Sequence, residues 1–76
     1  MVDAVIMVKT DAGRSEETVV AVRALETVTE AHVVAGEFDL IAEVTAEEVY
    51  DVLHTASSSI QGLEGVLNTK TYIAMG

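Results

Sequence analysis
The apolar pattern of this chain predicts an α+β domain of the order β-α-β-β-α-β: a four-stranded antiparallel sheet with two helices on one face. Three observations carry the prediction. Strand-like apolar runs stand near both ends and as a pair in the middle. Two stripes with helical spacing fall between them. Glycine-containing turns separate the segments. Residues 3–9 read as the first strand, with Val5, Ile6, Met7 and Val8 in a nearly continuous run. Asp11-Ala12-Gly13 is a turn. Ser15 is suited to cap a first helix, with Glu16 and Glu17 in its first turn favoured by the helix dipole. Val19, Val22 and Leu25 form its stripe, which Val28 closes. His32 to Ala35 and Phe38 to Val44 read as a hairpin about Gly36-Glu37, where glycine would supply the positive φ of a tight turn. Thr45-Ala46-Glu47-Glu48 has the form of a capping box opening a second helix. Val49, Val52, Leu53, Ala56 and Ile60 line that helix, Gly62 and Gly65 end it, and Val66 to Met75 is the last strand. This is the split-βαβ or ferredoxin-like arrangement.

Length and composition set bounds. The 76 residues make one domain, residues 1–76. A chain this short buries only about 60–65% of its unfolded surface, so its core is marginal. There is no cysteine, hence no disulfide or thiolate metal site; His32 and His54 are far apart and lack a partner motif, so neither metal nor cofactor is expected. No apolar run is long enough to span a bilayer and the start lacks a basic leader, which points to a cytoplasmic domain. Thirteen acids face four bases, a net charge of −9. Lys9, Arg14, Arg23 and Lys70 form no run, so direct binding of nucleic acid or of anionic membrane is disfavoured. An acidic, lysine-poor surface is what a high-salt cytoplasm favours, since screening removes the self-repulsion.

On the first strand Ala4, Ile6 and Val8 point one way and Val5 and Met7 the other, so both faces are apolar. The pattern leaves open which set meets the helices. A two-layer monomer would leave one face in water. A second copy covering it is therefore expected, with Val5, Met7, Val34 and Ile41 as contacts. The hairpin supplies the candidate site. Gly36, Glu37, Phe38 and Asp39 put a glycine backbone and a carboxylate at one corner of the sheet, and these groups suit the carboxylate and ammonium of an amino acid. Turn glycines and aspartates also occur for purely local reasons.

Beyond periodicity, the chain resembles the effector-binding (RAM) domain of the Lrp/AsnC family of transcription regulators. The resemblance runs through Val5 to Thr10, Gly13, the core stretch Gly36-Glu37-Phe38-Asp39-Leu40-Ile41, the ending Leu63-Glu64-Gly65-Val66, and Thr69-Lys70-Thr71. Glu64 stands where proline is usual, and Ala35 where threonine often precedes the glycine. The resemblance implies an amino-acid sensor that forms homodimers through the sheet and associates further, commonly into octamers, with effectors bound between dimers. It implies backbone groups from Gly36, Glu37 and Phe38, an apolar wall from Phe38, and Asp39 orienting the effector's polar groups. Thr69 and Thr71 match polar final-strand positions that complete the pocket. Family regulators carry an N-terminal helix-turn-helix domain. With Met1 two residues before the first strand, this chain reads as a stand-alone or excised form, acting through DNA-binding family members. The alternatives are a small enzyme of the dimeric α+β barrel kind, a ligand-free assembly module, and an ACT domain, for which Gly13 would be the relevant glycine.

Other residues carry bland readings. Ser57-Ser58-Ser59 lacks a nucleophile frame and reads as a polar helix end. His54 reads as a packed or solvated histidine. Glu16-Glu17 and Glu47-Glu48 are helix starts, because adjacent helical positions do not face each other. Tyr50 and Tyr72 are expected to be packing or interface residues.

Overall fold
The computed structural model describes residues 1–76. Its elements are β1 (Val2–Thr10), α1 (Ser15–Arg23), β2 (Val28–Val33), β3 (Leu40–Ala46), α2 (Val49–His54) with a π-helical extension Thr55–Ile60, and β4 (Val66–Ile73). The sheet order is β2-β3-β1-β4 and every pairing is antiparallel. The expected β-α-β-β-α-β order and four-stranded sheet are both present.

Alternation decides which sheet face is covered. Ala4, Ile6 and Val8 of β1 and Leu40, Ala42, Val44 and Ala46 of β3 are buried, with Val19 and Val22 of α1, Val52 of α2, and Ala56 and Ile60 of its extension. This settles the open question: the Ala4–Ile6–Val8 set meets the helices. Each fully buried aliphatic side chain contributes roughly 1.5–3 kcal/mol. Both helices are shorter than the dozen or so residues an isolated helix needs, so this packing holds them.

Several local expectations give way to tertiary pairing. Ser15 is the first helical residue and makes no capping bond; Arg14 precedes it and no side chain caps the helix. Arg14 instead binds Glu17 at 2.6 Å and Glu64 at 3.0 Å, clipping the start of α1 to the turn before β4. Val28 does not close the α1 stripe but opens β2, paired with Val44. Thr45 and Ala46 belong to β3 rather than to a capping box: Ala46 continues the buried alternation, and Thr45 Oγ1 donates to Asp3 Oδ1 at 2.8 Å across the sheet. Of the expected α2 stripe, Val52, Ala56 and Ile60 are buried, whereas Val49 and Leu53 are nearly half exposed. The hydroxyls of Thr55 and Ser57 bond back to the carbonyls of Asp51 and Leu53, a habit that disturbs the regular helical ladder, and the helix widens there.

The turns divide similarly. Gly13 (φ +78°) and Gly65 (φ +93°) hold the left-handed backbone that glycine favours, and the Gly65 carbonyl accepts the Asp11 N–H at 2.8 Å. Gly36 does not have positive φ. The strands stop at Val33 and resume at Leu40, so the hairpin closes through the longer connection Val34–Asp39 rather than a two-residue turn.

Candidate functional site
The connection Val34–Asp39 is fastened to the end of β1. The Asp39 N–H donates to the Val8 carbonyl at 2.9 Å, and the Val34 N–H donates to the Asp39 carbonyl at 2.9 Å. The Thr10 N–H donates to Asp39 Oδ2 at 2.9 Å, and Lys9 Nζ donates to the Glu37 carbonyl at 2.9 Å. Thr10 offers its N–H at the point where the β1–β4 register shifts, between Lys9 and Thr10. The extra residue there is Leu67 of β4, whereas the Thr10 N–H lies on the β3 edge of β1, just beyond the Val8–Leu40 pair. Asp39 thus has a structural role that its position beside a turn did not announce, and the partner that reveals it lies 29 residues away in the chain.

What the corner leaves free matters more for chemistry. The N–H groups of Ala35, Gly36, Glu37 and Phe38 donate to no atom of this chain, and Asp39 Oδ1 accepts from none. Gly36 is exposed, and nothing lies within 4 Å of where a Cβ would sit. Phe38 and Asp39 are half-buried beside it. Unspent donors stand next to an unspent carboxylate oxygen, an arrangement able to meet a ligand bearing both a carboxylate and an ammonium group. No cavity of the single chain includes these residues.

Thr69 and Thr71 are not beside this corner in one chain. They lie on β4, opposite Val8 and Ile6, with β1 between them and β3. Thr69 Oγ1 bonds to Gln61 Oε1 at 3.3 Å. The expected contact residues do share a face. Val5 and Met7 alternate with the buried set, Met7 is opposite Ile41, and Val34 falls on the same side by alternation from His32. That open face is less uniformly apolar than the first strand suggested: Asp3, Lys9, Glu43 and Lys70 rim its apolar centre. Tyr72 also lies there, opposite Val5, while Tyr50 is exposed on α2 with its ring 6.3 Å from that of His54. One cluster was not anticipated. Glu30, His32 and Glu43 converge on the open face, because Glu43 is the register partner of Glu30. The signal was an acid two positions before His32, completed only by strand pairing. Hydrogen bonds to Glu64 and then Glu17 raise the pKa of the Arg14 guanidinium above its ordinary value.

No helix is long and apolar enough to cross a membrane. The family model for the Lrp/AsnC ligand binding domain matches residues 3–76. The leucine-responsive regulatory protein of Haemophilus influenzae is 32% identical over 60 residues, covering 79% of this chain and 36% of that protein. The chain spans little more than a third of the length of the curated relatives it matches, and these are transcription regulators. A crystal structure from Thermus thermophilus superposes with a TM-score of 0.95 at 29% identity, covering 100% of this chain and 95% of that one. A transcriptional regulator of Neisseria meningitidis, solved in complex with L-Met, shares the fold with a TM-score of 0.85 at 18% identity, over 99% of this chain and 50% of that one. Sequence match and fold agree: the chain belongs to the Lrp/AsnC ligand-binding domain family.

Proposed function
We propose that this domain binds a free amino acid without covalent chemistry at Gly36, Glu37, Phe38 and Asp39, and that it does so in an assembly of copies. The observation that carries the reading is the set of unspent N–H groups from Ala35 to Phe38 beside the free oxygen of Asp39. The N–H groups receive the effector carboxylate, Asp39 Oδ1 receives the ammonium, and Phe38 faces the side chain. The lack of a single-chain cavity at this corner fits a pocket closed by a second copy. Thr69 and Thr71 belong to the pocket only across such a contact. Homodimers form through the open sheet face with Val5, Met7, Val34 and Ile41 at the contact, and pair further, up to octamers. The L-Met complex of the Neisseria regulator supports an amino acid as the effector class. The domain then modulates transcription in the cytoplasm through DNA-binding family members, not by touching nucleic acid itself.

A thermal-shift screen against the common amino acids tests this, because a ligand bound only by the folded state raises its melting temperature. At least one amino acid is expected to do so. Asp39→Asn keeps an acceptor for Thr10 but loses the charge, and should weaken that ligand by about 1–3 kcal/mol in calorimetry. A screen with no hit leaves the assembly-module reading instead. Unchanged affinity in the variant removes Asp39 from the site.

A further inference from the structure
The geometry points to a divalent transition-metal site on the open sheet face, formed by Glu30, His32 and Glu43. Glu30 and His32 are two apart on β2 and so project from the same side, and Glu43 lies directly opposite Glu30 on β3. One donor atom from each residue lies within 4.8 Å of the other two. His32 Nε2 is 3.3 Å from Glu30 Oε1. That contact is a hydrogen bond; bonds of about 2.0–2.2 Å to a tetrahedral ion place neighbouring donors about 3.3–3.6 Å apart, so an ion would replace it with little movement of either donor. The remaining carboxylate, that of Glu43, is exposed and within reach of the other two donors.

A second observation concerns charge. Like charges directly opposite on paired strands destabilise a sheet, and Glu30 and Glu43 are such a pair. Neither pairs with a lysine or arginine: Glu30 contacts only His32, at 3.3 Å, and Glu43 forms no ion pair. Arg23 borders the adjoining groove along β2, but its Nε donates to the Ala31 carbonyl at 2.9 Å. A bound dication would relieve the repulsion and tie the edge strand β2 to β3. One imidazole nitrogen with two carboxylate oxygens favours zinc, cobalt or nickel over magnesium or calcium. Water, or a group of the second copy proposed to cover this face, would fill the remaining coordination positions.

The test is a melt of the full chain with zinc chloride added at micromolar concentration, magnesium chloride serving as the control. Zinc is expected to raise the melting temperature, a chelator to reverse the rise, and magnesium at equal concentration to give none. His32→Ala and Glu43→Gln should each weaken zinc binding by more than about tenfold, since even outer-shell changes at metal sites reach that size. His54→Ala should bind as the parent does. Cobalt(II) gives a reading without substitution: the ring signals of His32 broaden in NMR spectra while those of His54 stay sharp. The proposal is overturned if zinc gives no shift, if His54→Ala abolishes the shift, if the shift survives both His32→Ala and Glu43→Gln, or if cobalt broadens His54 alone. The cluster shares no residue with the Gly36–Asp39 corner, so failure here leaves the amino-acid reading standing.

Discussion
The carboxylate of Asp39 spends one oxygen on the fold and leaves the other for the ligand proposed above. Oδ2 satisfies the Thr10 N–H at 2.9 Å, and Oδ1 stays free. Asp39→Ala leaves that part-buried N–H without its acceptor and should cost about 1–3 kcal/mol in chemical denaturation, whereas Asp39→Asn should lose little. Equal stability of the two variants would show that the hydrogen bond contributes nothing. The sequence singled out Gly36 and Asp39 from their types and spacing, but not how the corner is held. Neither a positive φ nor crowding at its α-carbon requires glycine at position 36 within the single chain. The anchoring of Asp39 depends on a backbone group on another strand, and no local pattern encodes that.

Elements were legible where periodicity is long and obscure where two local signals compete. The alternation Leu40, Ala42, Val44 survives as the buried face of β3, and it extends through Ala46 because burying that side chain against the core outweighs a cap at Thr45. Val28 has helical spacing from Val22 and Leu25 yet pairs with Val44, since the sheet edge gives its backbone partners that a short frayed helix cannot. On β1 both faces are apolar and only the structure says which is covered. Val5 and Met7 remain half-buried on the open side, with Met7 opposite Ile41. Met7→Asp or Ile41→Asp adds a charge to the centre of the face assigned to pairing. Either should yield monomers in sedimentation, or unfolded chain if the monomer is too marginal to persist. A folded assembly of unchanged size, with an intact circular dichroism spectrum, would place the contact elsewhere.

For the whole molecule, net charge opposes the proposed assembly. A net charge of −9 on 76 residues is multiplied when copies come together. The screening length falls from about 10 Å at 0.1 M salt to about 3 Å at 1 M. Melting temperature and oligomer size should therefore both rise with KCl from 0.1 to roughly 3 M. A flat response in both would make the acidic surface incidental and set aside the high-salt reading. Lowering the pH toward the isoelectric point near 4.3 removes the same repulsion, with precipitation competing. Net charge was legible by counting, but the convergence of Glu30, His32 and Glu43 was not, because strand register decides it. The amino-acid reading depends on one segment, residues 34–39, and hydrogen exchange followed by mass spectrometry reports on that segment in an assembly of any size. With an amino acid selected by thermal shift, exchange in residues 34–39 should slow, as the N–H groups of Ala35 to Phe38 gain an acceptor, and the slowing should shrink in Asp39→Asn. Protection appearing elsewhere, with residues 34–39 exchanging as fast as in the free protein, would contradict the assignment of the site.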